Sequence, residues 1–433
     1  MAAVTIVVAL HAEGYQLNLN STRQGGMGNV GVALGLGAES MIYNPAGLAF
    51  INGKVDFSMG ATGVISRVSH SHNGKETKTD NPVGTPLFVY AGMRLTQNLA
   101  AGVSLNNPAG NSVNWPEHWA GAHVVQTSSL KAFSLQPTLS YKMLDDKLSV
   151  GAGMMVVWGN FSTSKALIGA NALNAFAPMF PILGTIADKV PVATTLEGKT
   201  QVGVGLNIGL QYRFHPQWTL GLSYRSKVNM KVDKGEASLD FASSEIKQLI
   251  AGLSGYGVVI PPLDQGNFKA EMPIPANINL GVAYRSYSGL LLSAELQWVG
   301  WGAFEELVIQ FDEKVGHFKT VSPKGYSNTM IYRIGGQYTL CPKFDVRLGF
   351  YYDSTPVNKT QYYSPETPGS NKTAFTGGFT YRPCGGFAID AALTYSTGPK
   401  TQGTFEYPTG STPFIGEYKV SAFLPSLALR YSF

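Results

Sequence analysis

Charged side chains are scarce in this sequence. Asp, Glu, Lys and Arg make up 14% of its 433 residues, against about 25% in a typical soluble domain, so too few charges are available to cover a soluble protein of this size. Long apolar runs are also missing after the N-terminus, which argues against a bundle of transmembrane helices. Both absences fit a membrane β-barrel, in which outward apolar residues alternate with inward polar ones.

Cysteine is nearly absent too. The two cysteines, Cys341 in TLCPKF and Cys384 in RPCGGF, each lie in a segment that Pro or Gly marks as a turn. Two thiols are too few ligands for a metal site. A disulfide would require both turns to lie at the same end of the fold, and we expect two unpaired cysteines instead. The net charge of +5 is scattered along the chain, which argues against nucleic-acid binding.

The clearest periodic segment is QVGVGLNIGLQYRF, residues 201–214, in which every second residue is apolar. Gln, Gly, Asn and Arg stand between the apolar residues. This alternation with a period of two predicts a β-strand. At ~3.3 Å per residue the strand is longer than strands of globular proteins usually are, and it can cross a membrane at a tilt.

Fourteen such segments can be counted along the chain, at 54–65, 82–95, 99–107, 129–142, 147–160, 199–214, 217–233, 269–286, 288–303, 324–340, 343–355, 371–384, 385–397 and 416–433. Tight polar turns such as 144–147 join many of them, whereas 161–198 and 234–268 are long connections. Outer-membrane barrels have even strand numbers, short periplasmic turns and long extracellular loops. The sequence therefore predicts an all-β fold, a 14-stranded antiparallel transmembrane barrel that ends on the amphipathic strand FLPSLALRYSF.

The chain before the first strand does not fit the barrel pattern. Residues 1–12, MAAVTIVVALHA, have an apolar core and end on a small residue, as a secretory signal does, although the usual basic start is missing. We expect a remnant signal peptide at 1–12, a separate N-terminal unit rich in Gly at 13–53, and the barrel at 54–433.

The two long connections are unusually apolar for water-facing loops. Segment 234–268 contains SSEIKQLIAGL, in which Ser243 or Ser244 can cap a short helix. Apolar residues in such loops need a partner, so the loops bury them against each other, leave a groove for an apolar ligand, or do both. The candidate groove residues are Leu167, Ile168, Leu173, Phe176, Phe180, Ile182, Ile246, Leu249, Ile250 and Leu253.

The histidines give little support for an enzyme or a metal site. His70 and His72 belong to the polar stretch SHSHNGKETKTD, where we expect a solvated hairpin loop. No Ser or Asp constellation accompanies His118, His123 or His317, and the motif Gly-x-Ser-x-Gly does not occur. A lipid-modifying enzyme and a general diffusion porin remain as alternatives, but the porin would need charged rings around an open lumen.

Several blocks of the sequence, in order over almost the whole chain, resemble the FadL/TodX family of outer-membrane transporters for long-chain fatty acids and other hydrophobic compounds. They are GYQLNLNSTRQGGMGNVGVA with YNPAGLA, SLQPTLSYKMLDDKLSVGAGM, MPIPANINLGVAYR with LQWVGWGAFEEL, and FYYDSTPV. The resemblance implies that 13–53 is a hatch inside the barrel and that Asn44, Pro45 and Ala46 form its Asn-Pro-Ala motif. Pro and Gly interrupt ladder hydrogen bonding, which a membrane protein tolerates only inside a protein-lined lumen. A tight turn before the first strand is the simpler alternative.

The resemblance also implies an opening in the wall and a ligand pocket. The family's third strand is kinked, and Gly110 in VSLNNPAGNSV falls at the corresponding position; an ordinary strand end is the alternative. Lys165 and Lys324 fall where the family has basic residues near the acidic head of its ligand. An ammonium group there can hold a carboxylate by a charge-assisted hydrogen bond, whereas most loop lysines point to water.

The function implied by the resemblance is passive uptake of long-chain fatty acids or other hydrophobic small molecules. The ligand enters from the loop groove and leaves sideways through a gap at Gly110, so that its apolar surface does not return to water at a cost of ~25 cal/mol per Å². No cofactor, nucleotide or metal is required. The implied partners are the hydrophobic ligand and outer-membrane lipid, and the implied state is a monomer.

Overall fold

The computed structural model describes residues 14–117, 119–168, 178–186, 189–253, 260–315, 319–406 and 412–433. The signal peptide expected at 1–12 lies outside these residues. Within them, the dominant structure is one antiparallel sheet that closes on itself, because the first strand pairs both with its successor and with the C-terminal strand.

The described chain contains short helices and 23 strand segments. The strands are β1 Val55–Thr62, β2 Ile65–His72, β3 Lys75–Lys78, β4 Leu87–Arg94, β5 Leu99–Asn106, β6 Gly110–Asn114, β7 Thr127–Met143, β8 Leu148–Ile168, β9 Val192–Lys199, β10 Gly203–His215, β11 Trp218–Arg225, β12 Val228–Phe241, β13 Asn267–Ile274, β14 Asn277–Arg285, β15 Leu290–Val299, β16 Glu306–Phe311, β17 Lys319–Pro323, β18 Thr329–Cys341, β19 Phe344–Asp353, β20 Lys372–Tyr381, β21 Phe387–Thr397, β22 Thr401–Phe405 and β23 Phe414–Ser432. The α-helices are α1 Thr22–Gly25, α2 Ser40–Tyr43 and α3 Ser244–Gly252, and 3-10 turns lie at Gly37–Glu39, Pro45–Phe50, Pro181–Ile186, Leu263–Gln265, Trp301–Ala303 and Glu313–Val315.

Many segments are successive parts of one strand, so the barrel has 14 strands. The composite strands are β1 with β2, β3 with β4, β5 with β6, β9 with β10, β11 with β12, β13 with β14, β15 with β16, β17 with β18, and β21 with β22. Each of the 14 pairs with its sequence neighbours, and β23 closes the ring by pairing with β1 over Asp56↔Ser432 to Thr62↔Ser426. The predicted 14-stranded antiparallel barrel is confirmed.

The pattern of exposure is the reverse of that in a soluble protein. In β10 the apolar side chains of Val204, Leu206 and Ile208 are 61%, 55% and 46% exposed, whereas Asn207 and Gln211 on the other face are buried. Alternation with the apolar face outward is what lipid contact requires. Among the described residues, no helix combines the length and apolar character needed to cross a membrane.

Two strands extend further than expected at the end with long connections. β8 continues to Ile168 and pairs with β9, so parts of the predicted loop 161–198 are strand. β12 likewise reaches Phe241 by pairing with β9. The residues after Trp158 include Phe, Ser and Thr, which suit a strand above the membrane where polar side chains can face water.

His70 corrects the expectation of a solvated HSH loop. It lies in β2, opposite Tyr418 of β23, and only 2% of its surface is exposed. Its ring stacks on Phe414 with centroids 5.1 Å apart and lies 4.9 Å from the ring of Tyr418. The alternation of this strand places Val68 and His70 on the inner face, while His72 is exposed as expected.

The cysteines follow the prediction. Cys341 and Cys384 are both free and exposed. They lie at the two short turns that connect β18 with β19 and β20 with β21, which marks this end of the barrel as periplasmic. The longer connections at the opposite end are therefore extracellular.

Candidate functional site

The N-terminal segment, defined here as residues 14–53, lies against the inner face of the barrel. Its short helices α1 and α2 and the 3-10 turn Pro45–Phe50 bury most of their residues. None of these elements is long enough to be stable alone. Their conformation therefore depends on contacts with the surrounding strands.

Asn44 is the residue that ties this segment to the wall. Its Oδ1 accepts a hydrogen bond from the Ala46 backbone N–H at 3.1 Å, which caps the turn that begins with Pro45. Its Nδ2 donates to the carbonyl oxygens of Val32 at 2.8 Å and Leu210 at 3.0 Å. The motif thus starts a turn and also joins two parts of the chain.

Glycines in the strands make this close approach possible. A Cβ added to Gly209 of β10 would lie 1.8 Å from Asn44 Oδ1, and one added to Gly151 of β8 would lie 2.4 Å from the Pro45 carbonyl carbon. Any side chain at either position would collide with the Asn-Pro-Ala turn. The wall and the N-terminal segment are therefore complementary in shape at this point.

Buried carboxylates hold the rest of the segment. Glu295 Oε1 accepts from the backbone N–H of Gly31 and from that of Val32 at 2.6 Å. Glu39 accepts from the hydroxyl groups of Ser21 and Ser58 and forms a 3.2 Å ion pair with Arg23. Each carboxylate thus satisfies polar hydrogens of the segment that would otherwise be unpaired away from water.

The wall is interrupted between β5 and β6, at residues 107–109. Here the Leu87 N–H donates to Asn107 Oδ1 at 2.9 Å, so a side chain replaces the strand backbone as the acceptor. The N-terminal segment covers the break: Leu17 N–H donates to Pro108 O at 3.0 Å and Gly110 N–H donates to Tyr15 O at 2.9 Å. Within the described chain, β6 pairs with β7 and has no strand partner along its other edge.

A cavity of about 790 Å³ occupies this break. Residues 82–87, Asn107 and residues 109–114 frame it, Leu17 and Leu19 border it from the N-terminal segment, and Ser129 and Phe133 border it from β7. The cavity thus connects the inner segment with the interrupted wall. Gly110, the residue at the predicted kink, is the first residue of β6 and lines this cavity.

Lys324 forms an ion pair with the carboxylate of Glu366, and the charge of the same carboxylate acts on Lys165. Lys324 Nζ lies 2.8 Å from Glu366 Oε2, and only 2% of the Lys324 side chain is exposed. Lys165 lies at the extracellular end of β8, beyond the membrane; burial lowers the pKa of its ammonium group, while the charge of Glu366 acts to raise it. The expectation that loop lysines simply point to water does not hold for Lys324.

The candidate groove residues of the two long connections also meet. Ile246, Ile250 and Leu253 of the α3 region form a buried cluster with Leu183 and Val192. The candidates Leu167, Ile168, Phe180, Ile182 and Leu249 pack against this cluster, whereas Leu173 and Phe176 lie outside the described residues. Ser243 caps the helix by accepting from Ile246 N–H at 3.2 Å, as one of the two predicted caps. The described parts of these loops thus bury their apolar faces against each other.

Comparisons with known proteins agree with this geometry. Residues 3–433 match the family model described as outer membrane protein transport protein (OMPP1/FadL/TodX). The chain belongs to the OMPP1/FadL/TodX family. It is 23% identical over its whole length to the long-chain fatty acid transport protein of Escherichia coli O6:H1, with 98% of that protein covered.

Solved structures of this family share the fold. A FadL homologue of Pseudomonas aeruginosa superposes with a TM-score of 0.78 at 20% identity, with 97% of this chain and 100% of that chain covered. The toluene transporter TodX of Pseudomonas putida superposes with a TM-score of 0.68 at 18% identity, with 98% and 99% covered. Membership of the OMPP1/FadL/TodX family makes this protein an outer-membrane barrel that transports hydrophobic compounds, and the family is one of transporters rather than enzymes.

The residues that sequence reasoning missed are the ones that accept hydrogen bonds. Glu366 accepts from Lys324, Glu295 accepts from the backbone of the N-terminal segment, and Asn107 accepts from the backbone of the wall. Each takes the place of a water molecule or of a backbone carbonyl group in a regular strand. Asn107 carries a signal in the sequence, since it stands beside Pro108 in a strand that already reads as broken. Among the described residues, no group of His, Cys, Asp or Glu could hold a metal ion.

Proposed function

We propose that this protein takes up long-chain fatty acids or other hydrophobic small molecules passively and releases them sideways into the outer membrane. The observation that carries the proposal is the cavity of about 790 Å³, which joins the N-terminal segment to the break in the wall beside Gly110. In this proposal the N-terminal segment is the hatch, and its movement away from Pro108 and Gly110 opens the path.

Lateral release has a physical advantage for an apolar solute. A path down the lumen would lead past Glu39, Glu295 and their polar partners, where each Å² of apolar surface returned to water costs about 25 cal/mol. A path through the wall leads past apolar residues, including Leu17, Val83 and Phe133, directly to lipid. The protein acts in this scheme as a monomer in contact with outer-membrane lipid, without a cofactor.

The extracellular side supplies capture and recognition. The apolar cluster formed by the two long connections is proposed to receive the ligand from outside. The supporting observation is that Phe180, Ile182 and Leu249, which pack against the cluster, are only partly buried. Lys165 and Lys324 are proposed to hold the acidic head of the ligand. Relatives named for a fatty acid and for toluene both exist, and the buried Lys324 with the half-buried Lys165 favours an acid for this chain.

Binding of labelled palmitate to the detergent-purified protein tests the acidic head site. Lys165→Met and Lys324→Met are each expected to weaken binding by roughly 10- to 100-fold, because a hydrogen bond to a charged group contributes about 1.5–3 kcal/mol. Lys343→Met, at an exposed periplasmic turn, is the matched control and should bind as the unmodified protein does. Full binding by the two variants, together with displacement of palmitate by a neutral hydrocarbon, would refute the head site and indicate a hydrocarbon channel.

Filling the cavity tests the exit path separately from binding. Ser129 of β7 lines the cavity and is only partly buried, so Ser129→Trp places a large ring in the opening. We expect palmitate uptake by cells to fall to the level of cells without the protein, while binding to the purified variant is retained. Ser129→Ala should leave uptake unchanged. Normal uptake with tryptophan in place would show that the ligand takes another route.

A further inference from the structure

The segment that follows β19 carries a carboxylate into the site proposed for the ligand head. Glu366 lies in this segment, and its Oε2 is 2.8 Å from the Nζ of Lys324. The side chain of Glu366 is 16% exposed and that of Lys324 is 2% exposed, so the pair is largely removed from water. An ammonium group in such surroundings needs a negative partner, because an unpaired buried charge is strongly destabilising.

The same segment is attached to the interrupted wall. Asn111 of β6, the residue after Gly110, donates from Nδ2 to the Glu366 carbonyl oxygen at 2.9 Å. Trp115 Nε1 donates to Pro365 O at 3.2 Å. Thr367, which follows Glu366, forms a 2.7 Å hydrogen bond between its hydroxyl group and that of Tyr326, and it lines the cavity at the break.

Glu366 therefore contacts the proposed head site with its side chain and the edge of the opening with its backbone. The one carboxylate of Glu366 forms an ion pair with Lys324, and its charge also acts on Lys165. A second carboxylate entering this site would meet two ammonium groups and one competing anion.

We propose that the carboxylate of Glu366 occupies the binding position of the ligand's acidic head when no ligand is bound. In the ligand-free protein the Glu366 carboxylate pairs with the Lys324 ammonium group. The carboxylate of a long-chain acid displaces the Glu366 carboxylate from this pair. Displacement frees the segment that Asn111 and Trp115 hold against β6, so that occupancy of the head site loosens the edge of the opening. This inference rests on the proposed function and narrows its ligand to carboxylic acids.

The chemistry distinguishes acids from neutral ligands of the same length. A neutral alcohol or hydrocarbon has no anion to exchange for Glu366, and displacing the carboxylate without a replacement would leave Lys324 unpaired. An acid replaces one charge-assisted hydrogen bond with another. Glu366 thus acts as a specificity-determining residue that selects for the acid.

Glu366→Gln tests the inference, with palmitate and 1-hexadecanol as probes of equal chain length. Glutamine keeps the shape of the side chain and the backbone contacts to Asn111 and Trp115, and it removes only the competing charge. We expect palmitate to bind at least about tenfold more tightly, the equivalent of one charge-assisted hydrogen bond, and hexadecanol to bind unchanged. Adding Lys324→Met to Glu366→Gln should abolish the gain for palmitate.

The outcomes separate this inference from the proposed function. Unchanged or weaker palmitate binding by Glu366→Gln, while the unmodified protein binds both probes, would overturn the role of Glu366 and leave the uptake proposal intact. An equal change for palmitate and hexadecanol would also overturn it, because it would show a structural effect without charge selectivity. If neither protein binds either probe, the inference is wrong, and so is the uptake of long-chain fatty acids in the proposed function.

Discussion

Replacing Gly209 by alanine should raise the ion conductance of the purified barrel by roughly 5- to 150-fold. Overpacking of about 1–3 kcal/mol would raise the population of barrels with a displaced N-terminal segment by this factor. The added Cβ would lie 1.8 Å from Asn44 Oδ1 and 3.1 Å from Pro45 Cδ. Asn44 cannot turn away at little cost, because its Nδ2 donates to the carbonyl oxygens of Val32 and Leu210. The least costly response is displacement of the N-terminal segment from the wall.

Planar-bilayer conductance measures this effect directly, and limited proteolysis of the segment gives a second readout. Gly377→Ala of β20 is the matched control, since its added Cβ would come no closer than 3.6 Å to another atom. Alanine is otherwise slightly better than glycine inside a strand, so the control should conduct and resist proteolysis like the unmodified protein. Equal conductance for the two variants would show that the N-terminal segment does not block the lumen at Asn44.

The barrel could be predicted from the sequence because the membrane imposes a simple pattern on its strands. In β10, Val204, Leu206 and Ile208 face lipid while Asn207 and Gln211 face the lumen, so the period of two is visible in the residue types alone. Outside the membrane this constraint ends. The extension of β8 to Ile168 was not predicted, because strand residues above the membrane need not be apolar on either face.

The partners in the candidate site could not be predicted in the same way. Lys324 and Glu366 are 42 residues apart, and the closed barrel is what brings their two connections together. His70 shows the same limit, because the aromatic rings that bury it come from β23 and from the connection after β6. A polar stretch in the sequence reads as solvated until the elements that cover it are known.

The sequence Asn-Pro-Ala-Gly occurs twice in the chain and has a different role in each place. Alone, the four residues from Asn44 to Gly47 read as a turn, and Asn107 to Gly110 repeat the same letters. The structure gives the two copies different roles: Asn44 caps a turn inside the barrel, whereas Asn107 replaces a backbone acceptor in the wall. The difference lies in the surrounding strands, and no local pattern contains it.

Removing the carboxylate of Asp390 should have the largest effect on stability. Its side chain is fully buried near the periplasmic end of β21, where Oδ2 accepts from Arg430 Nε at 2.5 Å and Oδ1 lies 3.7 Å from Arg347 Nη1. Asp390→Ala leaves two buried guanidinium groups without this partner, and breaking a buried ion pair in this way costs about 3–5 kcal/mol. Equilibrium unfolding in urea, with the barrel in phospholipid vesicles, measures the loss.

Glu417→Ala is the control for Asp390→Ala. The Glu417 carboxylate forms a 2.6 Å ion pair with Lys400, but both side chains are largely in water, at 38% and 63% exposure. Water and salt screen an exposed pair, so its loss should shift the unfolding midpoint far less than the loss of Asp390. Equal shifts for the two variants would mean that water reaches Arg347 and Arg430 in the folded barrel and that the periplasmic end of the lumen is hydrated. A large shift for Asp390→Ala alone would show that no water replaces the Asp390 carboxylate, although Asp345 Oδ2 still lies 3.5 Å from Arg347 Nη2.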